Sequence, residues 1–214
     1  MTTLYGYFRS SAAYRVRIVL NLKGLDYEQA PVNLVKGEQR DAAFRAQNPQ
    51  GLVPMLVTDH GVRLTQSLAI CEYLDERHPE PALLPADLEG RARVRALAQL
   101  VACEIHPLNN LRVLKHLTGE LGLDEAAKLA WYRHWIHEGF TALEAMLNRE
   151  TGSGDFCHGD SPTLADVCLV PQVYNAERFE CHLEAYPRIR RIVANARGLD
   201  AFRHAAPEAQ PDAG

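Results

Sequence analysis

Five cysteines are scattered through the 214 residues, and none stands in a CxxC pair. Cys71, Cys103, Cys157, Cys168 and Cys181 are odd in number and far apart. That argues against a disulfide framework or a structural zinc site and fits a reducing, cytoplasmic compartment. No apolar run approaches the roughly 18–20 residues that a membrane span needs. The opening Met1-Thr2-Thr3-Leu4-Tyr5-Gly6 lacks a basic segment ahead of a long apolar one, so a secretory signal is not expected. Neither sign of charge dominates: 23 Lys+Arg against 27 Asp+Glu leave a formal net charge of −4, which gives nucleic-acid binding no electrostatic support. Internal repeats and low-complexity blocks are also absent. What the chain does have is 47% hydrophobic residues, enough for one large core or two modest ones.

Leu4-Tyr5-Gly6-Tyr7-Phe8 reads as a strand. Ser10 and Ser11 follow, with Ser11 a reasonable N-cap, and then comes the segment Tyr14 to Gly24. Its period is ambiguous: Val16, Ile18, Leu20 and Leu22 alternate as in a strand, whereas Val16, Val19 and Leu20 suit a helix face. Length, the leading serines and the closing Gly24 favour a helix. Tyr27 to Asn33 reads as a second strand and Gln39 to Ala46 as a short helix. Met55-Leu56-Val57-Thr58 and Val62-Arg63-Leu64, separated by Asp59-His60-Gly61, carry a hairpin signal. Gln66 to His78 is a helix ended by Pro79. The order strand, helix, strand, helix, strand, strand, helix describes a small mixed sheet with helices packed on it.

The Pro-bearing stretch His78-Pro79-Glu80-Pro81-Ala82-Leu83-Leu84-Pro85 is the linker candidate. Beyond it strand signals cease. Gly90 to Leu117 is helical but interrupted at Pro107. Glu125 to Leu147 is a second long helix, and Thr163 to Tyr174 is apolar enough to be a buried one. Thr163 and Asp166 have the spacing of a capping box, which assigns Asp166 to folding. Ala205 to Gly214 reads as a frayed polar tail. An α/β domain is therefore expected over 1–84 and an all-α domain over 88–214.

Three stretches carry a resemblance. They are Phe8-Arg9-Ser10-Ser11-Ala12-Ala13-Tyr14-Arg15-Val16-Arg17-Ile18; Asn48-Pro49-Gln50-Gly51-Leu52-Val53-Pro54-Met55-Leu56 with Gln66-Ser67-Leu68-Ala69-Ile70; and Ile105-His106-Pro107-Leu108-Asn109-Asn110-Leu111-Arg112-Val113-Leu114. Together they resemble the zeta class of the glutathione transferases, the class of the maleylacetoacetate and maleylpyruvate isomerases. The likeness runs essentially end to end. It implies a thioredoxin-like domain with a mixed four-stranded sheet, followed by an all-helical domain. It also implies glutathione as cofactor, no metal, a small dicarboxylic acid as substrate, and a cytoplasmic homodimer.

The resemblance further implies roles. Ser10 is the main partner of the glutathione thiolate and Ser11 supports it, since hydroxyl and amide donors lower a thiol pKa. Val53 and Pro54 form a cis-prolyl bond at which the Val53 backbone pairs with the peptide, and Gln66 and Ser67 hold its γ-glutamyl end. Gln39, His106 and Asn110 complete the glutathione set. Arg9, Arg15, Arg112 and Arg178 bind substrate carboxylates, for which guanidinium groups are suited; Arg9 also acts beside the thiolate. Taken singly, Ser10, Ser11 and Ser67 could equally be helix caps. The family commonly has a cysteine where this chain has Ala12, so no thiol can act from that position. The implied cycle is addition of the thiolate to a cis alkene, rotation, and elimination to the trans product. Maleylacetoacetate and maleylpyruvate both fit as substrate. A conjugating or dehalogenating transferase, and a non-catalytic regulator, are the other readings.

Overall fold

Apolar residues near the start of the chain build β1 (Thr3–Gly6), which lies inside a four-stranded sheet of order β2-β1-β3-β4. The computed structural model describes residues 1–149 and 152–213. β2 (Glu28–Pro31) runs parallel to β1, whereas β3 (Met55–Val57) runs antiparallel to it and pairs with antiparallel β4 (Arg63–Thr65). The expected hairpin is formed, with Thr58 N–H donating to Val62 O at 2.9 Å and Gly61 turning at φ +78°. A positive φ of that kind is what glycine allows without steric cost. Two strand–helix units followed by the hairpin and a last helix give the thioredoxin-like order that was expected.

Helix α1 (Ser11–Leu22) settles the ambiguous segment. Val16, Ile18, Val19 and Leu20 are all fully buried, so the alternating set and the helical set are both covered. A helix buried on every side leaves no polar stripe to reveal its period. Its N-cap is Ser10, not Ser11. Ser10 keeps extended backbone (φ −70°, ψ 114°) and its Oγ accepts from Ala13 N–H at 3.2 Å, while Ser11 is already the first helical residue. The helix expected over Gln39 to Ala46 is split into a 3₁₀ turn, Glu38–Arg40, and α2 (Ala42–Gln47), because Asp41 takes extended backbone between them. Helix α3 (Ser67–Arg77) follows β4.

The second unit comprises Leu84–Arg197. Helix α4 (Leu88–Gln99) passes into a π-helical turn, Leu100–Ile105, and a 3₁₀ turn, His106–Asn109, before α5 (Leu111–Gly119). Pro107, with no N–H to donate, sits where the regular helix stops. The long α6 (Glu125–Arg149) packs against the π-helical turn, where a Cβ on Gly139 would lie 2.3 Å from Ile105 Cδ1. Buried α7 (Leu164–Arg178) and α8 (Pro187–Arg197) complete it.

The helical domain is expected over 88–214; the compact unit that holds Met1–Leu83 also takes in the segment from Gly198 onward. The outer face of α1 needs an apolar cover, and α9 (Asp200–Ala205) supplies Phe202 and Ala205, both fully buried. Arg17 donates from Nε to Ala205 O and from Nη2 to Phe8 O, each at 2.9 Å, and burial pushes its pKa down to about 10. Nor is the end of the chain a frayed tail. Gln210 is buried and donates to His204 O and Ala206 O at 2.8 Å, and Asp212 Oδ2 accepts from Phe8 N–H at 3.0 Å.

Asp166 is fully buried at the start of α7, as the capping-box spacing predicts. Its carboxyl accepts from Thr163 N–H (2.8 Å), Thr163 Oγ1–H (2.8 Å) and Cys157 N–H (2.9 Å). Burial raises its pKa, and those donors oppose the rise. Burial, then the neighbouring Asp166, pushes the Cys157 thiol well up, and burial lifts Cys181 to about 11. Cys71 and Cys168 are buried too, whereas Cys103 is exposed.

Asp166→Ala leaves several buried donors without an acceptor and is expected to lower unfolding free energy by about 3 kcal/mol in a denaturant titration. Titration of the folded protein with a disulfide reagent is expected to modify Cys103 rapidly, and the other four only on unfolding.

Candidate functional site

The strand register decides where the candidates of the first unit lie. Tyr5 stands opposite Met55, and Met55 opposite Thr65, while Gly6 stands opposite Pro31 in the parallel pair. Hence the segment leaving β1 (Arg9, Ser10, Ser11), the segment entering β3 (Val53, Pro54) and the segment leaving β4 (Gln66, Ser67) all emerge at one end of the sheet. The connection leaving β2 starts there as well and contains Gln39. The backbone oxygen of Gln39 lies 2.9 Å from where a Cβ on Gly51 would be, which puts Gln39 beside the Gly51–Val53 loop. Residues up to 58 apart in sequence thus meet at one edge.

Several of these candidates have groups to spare. Ser10 Oγ accepts the cap bond from Ala13, so its hydroxyl hydrogen is available to a ligand. Val53–Pro54 is cis. Gln39 is buried, and its Oε1 has no hydrogen-bond partner. Arg9 donates from Nη2 to Tyr7 Oη at 3.0 Å and stacks over the Phe8 ring at 4.9 Å; no carboxylate pairs with it among the described residues.

Helix α3 is not capped by Thr65 or Ser67. Its N-cap is Gln66, at φ 68°, ψ 115°, with no side-chain cap bond. A non-glycine residue at such a φ costs on the order of 1–3 kcal/mol and persists only where its surroundings impose it. Gln66 is tied by its Nε2 to Gln50 Oε1 at 2.9 Å. The first intrahelical bond runs from Ile70 N–H to Gln66 O, so the amides ahead of it point out of the helix towards any anion held there. Ser67 Oγ accepts from Arg15 Nη1 at 3.2 Å. Arg15, grouped in the sequence with the substrate arginines, is thereby grouped by the structure with the α3 end.

In the second unit, the remaining candidates gather around Tyr132. Asn110 caps α5, its Oδ1 accepting from Arg112 N–H at 3.1 Å. The turn that begins at His106 is tied to α6 by Asn109 Nδ2–H donating to Tyr132 O at 3.0 Å and by Trp131 Nε1–H donating to Leu108 O at 2.9 Å. Tyr132 stacks on Phe179 with 3.8 Å between centroids, and the Arg178 guanidinium lies 5.0 Å over that ring. Burial raises the Tyr132 hydroxyl pKa, against the nearby charge of Arg178. Arg112 and Arg178 are exposed, and neither has a carboxylate partner among the described residues.

Four contributors escaped the sequence reading: Gln50, Tyr7, Asp212 and Tyr132. Gln50 stands in one of the quoted stretches, but nothing in the sequence marks it as the partner of Gln66. Asp212 had no local signal, since its partner is 204 residues away. Among the described residues no cluster of His, Cys, Asp or Glu could hold a metal ion, and no helix is long and apolar enough to cross a membrane. The arrangement suits a small anionic peptide at the sheet end and a further anion near unpaired guanidinium groups.

Comparison with known proteins agrees. Residues 4–82 match the glutathione S-transferase N-terminal domain. Maleylacetoacetate isomerase of Pseudomonas aeruginosa is 52% identical over 211 residues, spanning 98% of this chain and 97% of that one. A holo structure of maleylpyruvate isomerase, a bacterial zeta-class glutathione S-transferase, superposes with a TM-score of 0.97 at 52% identity, covering 99% of this chain and 100% of that one. The maleylacetoacetate isomerase of Methylobacterium extorquens AM1, crystallised with malonate and glutathione, superposes with a TM-score of 0.96 at 43% identity, covering 99% of each chain.

The cap and the ligand duties of Ser10 separate experimentally. Ser10→Ala is expected to lower unfolding free energy by about 1 kcal/mol through loss of the cap, and Ser10→Asp, which can still cap, to retain stability in the same thermal or denaturant measurement.

Proposed function

The chain belongs to the zeta class of the glutathione transferases, with the maleylacetoacetate and maleylpyruvate isomerases, and on that footing we propose that it is a glutathione-dependent cis–trans isomerase converting maleylacetoacetate to fumarylacetoacetate. The observation that carries the reading is the convergence of Ser10, Val53–Pro54 and Gln66–Ser67 at one end of the sheet. The buried, unsatisfied atoms of Gln39 and Arg15 at that end fit a polar peptide ligand.

Each residue then has a task. The Val53 backbone pairs with the cysteinyl backbone of glutathione, and Gln66, Ser67 and the first amides of α3 hold its γ-glutamyl carboxylate. Gln39 adds a polar contact to the same cofactor. Ser10 donates its hydroxyl hydrogen to the sulfur, with Ser11 in support, and so favours the thiolate. When bound, glutathione supplies a thiolate that adds to the cis double bond and departs once the bond has rotated, so that it is not consumed. Arg9 orients the diacid and stabilises negative charge as it moves away from the sulfur, while Arg112 and Arg178 are the guanidinium groups that the helical unit offers to a carboxylate. Ala12 contributes no thiol to this scheme and none is needed.

Maleylpyruvate is the second substrate of choice, because a maleylpyruvate isomerase shares as much identity with this chain as a maleylacetoacetate isomerase does. Family likeness supports a homodimer, and the unpaired distribution of five cysteines supports a cytoplasmic setting.

Isomerisation of each maleyl acid is to be followed by absorbance with catalytic glutathione and without it. Many turnovers per glutathione are expected, with none in its absence; stoichiometric consumption identifies a conjugating transferase, and full rate without glutathione contradicts the proposal. Ser10→Ala is expected to lower kcat about a hundredfold, the usual cost of losing one donor to a reacting anion. Arg9→Ala is expected to raise KM for the diacid about tenfold or more.

A further inference from the structure

Phe8 opens the turn that carries Arg9 and Ser10. Ser10 N–H donates to Tyr7 O at 2.9 Å, so Tyr7–Ser10 is a β-turn with Phe8 and Arg9 at its centre. That bond leaves the N–H and C=O of Phe8 to find partners outside the turn. Both find charged side chains. Asp212 Oδ2 accepts from Phe8 N–H at 3.0 Å, and Arg17 Nη2 donates to Phe8 O at 2.9 Å. Hydrogen bonds with one ionised partner are roughly twice as strong as neutral ones. Phe8 is thus clamped from both sides, just ahead of Arg9 and Ser10.

The clamp is anchored away from the turn. Arg17 also donates from Nε to Ala205 O at 2.9 Å. Asp212 sits on a segment that Gln210 ties down: its Nε2 donates to His204 O and Ala206 O at 2.8 Å, and Gln29 Nε2 donates to its Oε1 at 3.0 Å. Gln29 belongs to β2, the edge strand beside β1. Burial lowers the pKa of Arg17, and the Asp212 carboxylate is among the charges that oppose this, so the two clamping groups favour one another. Covering the apolar face of α1 is complete at Phe202 and Ala205, both fully buried. The chain nevertheless runs on and places a carboxylate on the Phe8 amide, 204 positions away in sequence. The Phe8 ring in turn lies 4.9 Å under the Arg9 guanidinium, whose Nη2 donates to Tyr7 Oη at 3.0 Å.

We propose that Asp212 is a positioning residue for the reaction: by holding the Phe8 amide it sets the Tyr7–Ser10 turn, and with it the aim of the Ser10 hydroxyl at the glutathione sulfur. This role rests on the glutathione-dependent reading above. It makes the segment from Gly198 onward part of the scaffold of the site as well as a cover for α1. Misplacing a reacting group by about 1 Å costs up to roughly a hundredfold in rate, so a loosened turn is felt in catalysis before it is felt in binding.

Steady-state kinetics and ultraviolet titration of the bound thiol, on full-length wild type, Asp212→Ala and Asp212→Asn, test this. Asp212→Ala is expected to lower kcat about tenfold and to raise the pKa of bound glutathione by about 1, because Ser10 no longer aims at the sulfur. Its affinity for glutathione is expected to stay within about twofold of wild type, since the contacts at Val53 and α3 do not depend on the turn. Asp212→Asn keeps an oxygen that accepts from Phe8 N–H and is expected to recover most of kcat. A lowered melting temperature with unchanged kcat and thiol titration makes Asp212 a structural clasp only and overturns the role. Equal impairment of Asp212→Asn and Asp212→Ala traces the effect to charge and overturns it too. Should circular dichroism show Asp212→Ala unfolded, Asp212→Ser, one atom too short to reach the Phe8 amide, decides in its place by the same readings. Wild-type protein that neither binds glutathione nor isomerises a maleyl acid removes the functional reading itself, whereas an active wild type matched by Asp212→Ala removes only the role of Asp212.

Discussion

Everything at the candidate site depends on the register of a short sheet. Tyr5, Met55 and Thr65 lie side by side across β1, β3 and β4, and that alignment fixes where three loops begin and end. Had β3 slipped by one residue against β1, its side chains would exchange faces and Met55 would lose its packing with Val32 and Phe44. Burial of Leu4, Met55 and Leu56 therefore pins the register, and the register aligns Ser10, Val53 and Ser67. The chemistry follows from the packing.

The second theme is charge held without a protein counter-charge. The net charge of −4 hides a set of arginines that no carboxylate among the described residues neutralises: Arg9 at the end of β1, Arg112 and Arg178 in the helical unit, and Arg15 in the core. Elsewhere the cations are paired in the ordinary way, as with Lys23 and Asp75 at 2.6 Å, or Arg197 and Glu177 at 2.7 Å. Exposed guanidinium groups cost little and wait for a ligand at no penalty. A buried one is different in kind, because no carboxylate among the described residues offsets its desolvation. The strained Gln66 is part of the same economy: local backbone cost is tolerated where it presents amide donors to an anion.

Much of this was legible in the sequence. The hairpin at Asp59-His60-Gly61, the interruption at Pro107 and the Thr163–Asp166 box each have a local physical cause, and each was readable from a few neighbouring residues. The three quoted stretches identified the family, because together they span both units. What could not be read depends on distant contacts. Residues 198–214 were assigned to the helical domain since their composition is helical and polar, yet the apolar face they cover belongs to α1. Ser11 was preferred to Ser10 as the cap because both are serines and only the backbone angle separates them. Arg15 was grouped with the other arginines by residue type, and its partner Ser67 is 52 positions away. Likewise His137 Nδ1 lies 2.9 Å from Tyr186 Oη, a partner 49 positions away that no local pattern announces.

The account turns on Ser10 holding sulfur as a thiolate. Ultraviolet absorbance of the thiolate, recorded as a function of pH for glutathione bound to the wild-type protein and to Ser10→Ala, measures that directly. The account predicts that wild type lowers the thiol pKa well below the value of about 8.5 for an ordinary cysteine thiol, and that Ser10→Ala returns it most of the way. A bound thiol that titrates at its ordinary value in the wild-type protein, or a lowered value that survives in Ser10→Ala, would contradict it.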